Sequence, residues 1–547
     1  MDQNKVCVST SFWSFWYNNF VKQYRENNNA YQPSLQLPLS YFYEDTVRQD
    51  DISRTVREVV EGVNIFKYVD FSRRNSYGYD GLKMLECVLL GFAVGGYMST
   101  RKLEDFARND IRAQFILDGA TPSHMAFQRF IHDDLLMPIE DIFYEFNRYF
   151  EDHDIINTDI LYIDGTKFEA NANKMTFVWM KATKKYRAKR WAKVMERIKS
   201  FNHYCEKESI PVRLSLLKEF NYEYMEKIVE TVEGIMNEQK IQESSGKGHK
   251  KHPLQRFRDG FVEDTEKILK YAVYYAIADG RNSFSKTDHS ATFMHMKYDY
   301  YNHTNVFKPG YNVQMGSCDG YIRHIYISSD GNDLNTYIPF MEGYYEAYGE
   351  YPEKTPADAG YGSYDNYTYA KEKGIGLYMK YSGMRREQEP VTDKNRFRSY
   401  NMRKDENGDI ICPAGHAFTL EKITIDKRGF YDKKIKNYRN EHCDGCPFQK
   451  MCTRSEKGRT LQVSEKLEEY KSEVKANLST EDGKKLMIQR SIQSEGIFGQ
   501  IKQDNEYDRL HRRGKNEVKK EIFLVAMGHN LRKYHSRKLK RVKGLAA

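Results

Sequence analysis

The chain has 547 residues, with 86 Lys and Arg against 77 Asp and Glu, a net charge of +9 and a mean hydropathy of −0.78. That length predicts several domains of roughly 100–200 residues each, and the composition predicts a soluble globular protein. No apolar run approaches a membrane span, and MDQNKVCVSTSFWSFWYNNF has neither a basic leader nor a continuous apolar stretch, so neither a membrane partner nor a signal peptide is expected. The eight cysteines are sparse, and Cys7, Cys87, Cys205 and Cys318 are isolated, which suits a reducing cytoplasm.

Residues 1–75 are polar and aromatic and carry no usable motif. From Tyr79 to Leu136 the pattern is helical. Leu82–Phe92 is apolar nearly all round and predicts a buried helix. Ser99 predicts the cap of the next helix, and Lys102 at its third position rules out a capping box. Thr121-Pro122-Ser123 predicts a turn and cap before Met125–Phe130. Two short helices across such a turn fit either a helix-turn-helix or an ordinary bundle.

Ile160–Ile163 is short, apolar and β-rich, and predicts a strand that stops at Asp164. Lys181 to Lys199 holds eight further Lys and Arg against Glu196, and begins a helical stretch to about residue 285 with a Gly/Ser break at Ser244–Pro253. Strands are predicted at Tyr311–Met315 and Tyr321–Ile327, then a helix near Thr336–Tyr348. A strand ends in a tight turn at Asp358, followed by a helix at Tyr364–Lys373 and a strand at Ile375–Lys380. Asp288, Asp330 and Asp333 lie near these motifs and are read as surface carboxylates. Glu495 falls in a helix starting near Ser479. The tail Leu531–Lys543 is basic and has no acid, as either a solvated face or a polyanion contact.

Three acids stand out. Asp164 lies in ILYIDGTKFEANANK, Asp358 in TPADAGYGSYDNY and Glu495 in QRSIQSEGIFGQIK. Three convergent carboxylates suit two Mg²⁺ ions and in-line phosphoryl transfer on DNA. Read with KPGYNVQMG and in this order, these segments resemble the DDE transposases of bacterial insertion sequences, most closely the IS eleven-eighty-two family, from about Tyr79 to His535. The resemblance implies a ribonuclease-H-like α/β catalytic core with Asp164, Asp358 and Glu495 as its catalytic, Mg²⁺-binding triad (two ions, with Mn²⁺ an alternative). Double-stranded DNA, both transposon ends and target, would be the partner, and a homodimer would pair two ends in a bacterial, nucleoid-associated setting.

The expected layout is a helical N-terminal DNA-binding domain at 1–150, a core from 151–180 and 286–384, and a helical insertion at 181–285. A cysteine-rich, zinc-binding insertion follows at 385–475, then the glutamate helix and basic tail at 476–547. Arg490 and Lys502 flank Glu495 and would grip scissile phosphates. Arg490 is one residue out of step with the arginine of related transposases, and Met487 and Ile488 stand where their tyrosine would fall. Gly496 and Gly499 suggest close backbone approach, to the sheet or to DNA. Gln128 and Arg129 are assigned to end recognition, and Arg537, Lys538, Lys540 and Arg541 to phosphate contacts.

Cys412, Cys443, Cys446 and Cys452, spaced C-x₃₀-C-x₂-C-x₅-C, fit one structural Zn²⁺, with His416 and His442 as substitutes; four reduced buried cysteines are the alternative. Two other functions stay open: a stand-alone metal-dependent nuclease on the same fold, and a catalytically dead, transposase-derived DNA-binding protein. The first would need no long helical insert or basic tail. The second is at odds with three intact acids.

Overall fold

The computed structural model describes residues 44, 46–68, 78–135, 138–219, 221–244, 250–296, 306–406 and 408–544. Residues 1–43 of the expected N-terminal domain and 245–249 of the expected break lie outside them. The fold is mixed α/β.

The N-terminal part is helical: α1 (Ile52–Gly62), α2 (Gly81–Gly95), α3 (Thr100–Asn109), α4 (Ile111–Leu117), α5 (His124–Arg129) and α6 (Ile139–His153). Asp80 starts α2 by accepting the Leu82 and Lys83 amides. The all-round apolar surface of α2 is buried, as its sequence requires. Ser99 accepts the Lys102 amide at 3.3 Å and caps α3.

A sheet follows. β1 (Tyr162–Glu169) pairs antiparallel with β5 (Phe307–Cys318), and β5 carries β6 (Tyr321–Ser328) and β4 (Thr292–His295) on its other side. β7 (Ala357–Gly362) lies beside the start of β1, through Leu161 N to Lys354 O at 3.0 Å and Ile163 N to Pro356 O at 3.1 Å. β8 (Met379–Tyr381) pairs parallel with β7. The order across the sheet is therefore β6-β5-β1-β7-β8. Alternation splits β1 between two cores. Ile163, with Leu161 just before the strand, joins a core with α10 (Tyr337–Tyr348) and α11 (Tyr364–Glu372), whereas Phe168 joins the core of the N-terminal helices.

Two segments interrupt this frame. β2 (Phe177–Trp179) and β3 (Ser283–Ser285) pair as a two-stranded neck. Beyond it stand α7 (Met180–Lys207), α8 (Tyr222–Glu238) and α9 (Pro253–Ala278), with a hydrophobic core of their own. The fully buried Asp264 of α9 ties in Arg190 at 2.9 Å and Arg197 at 2.8 Å. The second segment holds β9 (Arg403–Lys404) with β10 (Ile410–Ile411), then a three-stranded antiparallel sheet of β11 (Thr419–Asp426), β12 (Lys433–Arg439) and β13 (Thr460–Val463). α12 (Glu465–Ser479) spans residue 475, the boundary expected from sequence, and sends Tyr470 and Val474 into the core beside α11.

α13 (Glu481–Arg490) runs on through a π-turn (Ser491–Glu495), a short α-helical turn (Gly496–Gly499) and a second π-turn (Gln500–Asp504). The tail is not loose. It forms α14 (Lys515–Val542), a 28-residue helix whose Val518–Leu531 stretch is buried in the N-terminal core. Among the described residues no single helix is long and apolar enough to cross a membrane.

Candidate active site

Asp164 does not end its strand. It is the third residue of β1, facing Met315 of β5, because Gly165–Glu169 goes on pairing with β5. Asp358 likewise lies inside β7 rather than at a turn, and the chain leaves the strand only at Ser363, which caps α11. The two acids thus stand on neighbouring strands. Glu495 comes to the same place from the π-turn, whose Gln493 side chain accepts the Gly320 amide next to β5 and β6 at 3.0 Å.

Arg490 links the acids. Its guanidinium lies 3.6 Å from Asp164 and 3.7 Å from Glu495, and its side chain is 11% exposed. The sequence had placed it one residue out of step. In an α-helix five residues advance about 500°, leaving Arg490 and Glu495 roughly 140° apart. The intervening π-turn bonds i to i+5 and absorbs the extra residue.

The electrostatics follow from burial and like charge. Burial pushes the Asp164 carboxyl up to about 6; Arg490 opposes this, while Asp358 and Glu495 add to it. Asp358 is also raised, first by burial and then by Asp333, against the Gly360 amide and Arg490. Burial, with Asp333, Asp164 and Asp358 adding to it, raises the Tyr361 hydroxyl well above its ordinary range. The side chain of Glu495 is 65% exposed and open to solvent.

Lys502 is not turned outward. Its ammonium donates to Thr166 Oγ1 and to the Lys167 carbonyl, both at 2.7 Å, and lies 4.3 Å from the Phe168 ring centre. It pins the glutamate-bearing helix to β1. A Cβ built on Gly496 or Gly499 would meet nothing within 4 Å, so neither glycine serves an approach to the sheet.

Other expected contacts lie elsewhere. Gln128 is half-buried and lines a cavity of about 380 Å³ with Tyr97, Ser99, His511 and Arg513. Arg129 is exposed and folds back on the Met125 carbonyl at 3.4 Å. In the tail, Arg537 and Arg541 pair with Asp154 at 3.0 and 3.1 Å, and Lys538 pairs with Glu58. Only Lys540 of that set stands exposed with no ion pair among the described residues. On α7 the arginines turn inward and the lysines outward, so Lys181, Lys185, Lys189 and Lys193 form an exposed stripe at four-residue spacing.

Two surface assignments fail. Asp288 is buried and accepts the Tyr311 hydroxyl on both oxygens at 2.9 Å. Asp333 sits beside Asp358. Nothing local in GNDLN marks it; the polar residues Asn312 and Gln314 in a strand otherwise headed for the core were the available signal.

Cys412, Cys443, Cys446 and Cys452 line one cavity of about 20 Å³, room for one ion or water. Cys412 Sγ accepts the His416 amide at 3.4 Å and Cys443 Sγ the Arg459 amide at 3.3 Å. The set is reduced. As the side chains stand, no group of three or more His, Cys, Asp or Glu among the described residues is arranged to hold a metal ion.

A family model described as a transposase DDE domain matches residues 411–535. The match takes in the four cysteines, Arg490, Glu495, Lys502 and most of α14, but neither Asp164 nor Asp358. It supports a DDE transposase, an enzyme with DNA as its partner. No curated protein matches the chain, and no solved structure does.

Proposed function

We propose that this chain is the transposase of a bacterial insertion sequence of the IS eleven-eighty-two type, built on a ribonuclease-H-like core with two insertions. One observation carries the reading: two acids on adjacent central strands and a third on a helix, with Arg490 between Asp164 and Glu495. The sheet order β6-β5-β1-β7-β8 is the order such a core needs, and the segments beyond the β2–β3 neck and around β11–β13 are its interruptions. The hard-oxygen donors of Asp164, Asp358 and Glu495 fit Mg²⁺ or Mn²⁺, which when bound would activate water or a 3′-hydroxyl and stabilise the leaving oxygen.

The chain's own residues do the rest. Arg490 offsets the mutual repulsion of the acids and, once they hold cations, can turn to a scissile phosphate. Lys502 fixes the distance between the glutamate helix and β1. Asp164 must be ionised to bind a cation, so cation binding by the metal-free protein weakens as pH falls through about 6. The lysine stripe of α7 offers phosphate contacts without base readout. Gln128 and Arg129 remain the assignment for end recognition. Pairing of two ends calls for a homodimer, in the cytoplasm with the nucleoid.

For the cysteines, a zinc ion is the fitting occupant. Four soft donors face one ion-sized cavity, and two already accept backbone N–H groups as thiolate ligands do. They would tie β10 to the turn before β13 and take no part in the chemistry.

The test is cleavage and joining in vitro, with purified protein, Mg²⁺ and DNA carrying the ends that bracket its gene. Wild type is expected to nick at the ends and join 3′ ends to target. Asp164→Asn is expected to bind the same DNA without cutting. Cutting by Asp164→Asn, or end-independent hydrolysis without joining, would overturn the reading in favour of another site or a plain nuclease.

A further inference from the structure

Asp333 lies 25 residues before Asp358, on a short helical turn ahead of α10. Its Oδ1 accepts two amide hydrogen bonds from β5, Asn312 Nδ2 at 2.7 Å and Gln314 Nε2 at 3.0 Å. Both amides are buried. Gln314 is held in turn: its Nε2 reaches Asn312 Oδ1 at 3.0 Å, and its Oε1 accepts the Tyr361 hydroxyl from β7. The bare backbone of Gly165 makes room for it, since a Cβ there would lie 2.5 Å from Gln314 Oε1. The residue after Asp164 is therefore small for the sake of the amide that clamps Asp333.

The other oxygen points to the site. A Cβ built on Gly360 would meet Asp358 Oδ1 at 2.9 Å and Asp333 Oδ2 at 3.3 Å, so the two carboxylates converge over that glycine. No Lys, Arg or His forms an ion pair with Asp333 among the described residues. Two buried amides thus hold a carboxylate against a second carboxylate with no cationic side chain paired to it. A divalent cation between them would offset the repulsion of the two carboxylates and use the Asp333 oxygen that the amides leave free.

We propose that Asp333 is a fourth acidic member of the divalent-cation site, turned by Asn312 and Gln314 so that its Oδ2 strengthens the hold of Asp358 on its ion. This rests on the assignment of Asp164, Asp358 and Glu495 as metal ligands. Asp164 and Asp358 come from neighbouring strands, and Asp333 comes from the turn ahead of α10. The Tyr361–Gln314–Asn312 relay keeps it there, so the relay is a positioning device for the site rather than a core contact alone.

The experiment is Mn²⁺ binding to the full chain without DNA, read as the loss of free-ion signal in electron paramagnetic resonance. The variants are Asp333→Asn, Asp333→Ser, Asp164→Asn and, as a control on the exposed neighbour, Asp330→Asn. Asp333→Asn is expected to weaken Mn²⁺ binding about tenfold or more, the scale of changes around metal ligands, with its metal-free unfolding midpoint near that of wild type. Asp333→Ser gives the same readout should the amide variant not fold. Asp330→Asn is expected to bind as wild type. Wild-type affinity in a folded Asp333 variant, with affinity lost in Asp164→Asn, would remove Asp333 from the site and leave the ligand assignment standing. Wild-type affinity in Asp164→Asn as well would overturn the ligand assignment itself, and this inference with it.

Discussion

Asp164→Asn is expected to make the metal-free protein more stable while removing its activity. The carboxyl of Asp164 rises from 3.8 to about 6 on folding, chiefly through burial. Its side chain is 17% exposed, so solvent screens the effect little. Holding the charged form in the fold at neutral pH then costs roughly 3 kcal/mol. The amide is free of that cost, which is already net of the attraction of Arg490 at 3.6 Å. A net gain of about 1–3 kcal/mol remains. The sign depends on pH. A carboxyl whose folded pKa is raised leaves wild type unpenalised below the unfolded value near 3.8, and the penalty grows as pH rises through about 6. Urea unfolding in EDTA should therefore show the variant ahead of wild type at pH 7.5 and level with it at pH 4. Excess Mg²⁺ should stabilise wild type and not the variant, closing the gap. A variant less stable than wild type at pH 7.5 without metal, or a difference that does not change with pH, would refute burial as the source of the shift.

Lys502→Met is expected to cut single-turnover cleavage at least tenfold at saturating DNA, with DNA affinity little changed, since its ammonium is spent on β1; a purely binding defect would return it to the phosphate role. Replacing Lys181, Lys185, Lys189 and Lys193 with Gln should reduce the slope of log K against log salt by roughly 3–4, at about 0.9 per phosphate contact. In the tail, Arg537→Gln should destabilise the fold by about 1–3 kcal/mol by depriving the buried Asp154 of a charged donor, whereas Lys540→Gln should leave the unfolding midpoint unchanged. Cys446→Ser should lower bound zinc from about one per chain toward none by elemental analysis, and absence of zinc from wild type would leave the cysteines as reduced packing residues.

What could be read in the sequence was what is written locally. The β-rich run before Asp164, the cap at Ser99 and the helices of the 181–285 segment each depend on neighbours within a few residues, and each has its element in the structure. Strand ends were less legible. Glycines after Asp164 and Asp358 look like turns, yet both serve close side-chain approach inside a strand. The neck of β2 and β3 joins residues more than a hundred positions apart and has no local mark. Asp333 was passed over for the same reason, because its clamp comes from β5. The tail was read by its charge, although Ile522–Met527 is an apolar run that predicts burial. Its arginines turned out to face Asp154, and an acid-free stretch of sequence says nothing about acids brought in from another helix.

The glutamate helix shows how one residue of mismatch can be kept. Between Arg490 and Glu495 the chain has one residue more than α-helical spacing allows, and the π-turn spends that residue where it stands. A π-turn has poorer geometry than the α-helix around it and persists where something beyond the helix holds it. Here the holders are on both sides: Gln493 on the Gly320 amide, Arg490 on Asp164, and Lys502 on β1. The outward side of the same rod is bare. Gly496 and Gly499 meet nothing, and Ile488 and Ile492 are each 60% exposed. In the proposed reading that bare, partly apolar side is where DNA comes close to the backbone, while the inward side is fixed to the strand that carries Asp164. Moving Glu495 by one residue in either direction would then break the Arg490 bridge before it touched the DNA face, which is why the register, and not the glutamate alone, defines the site.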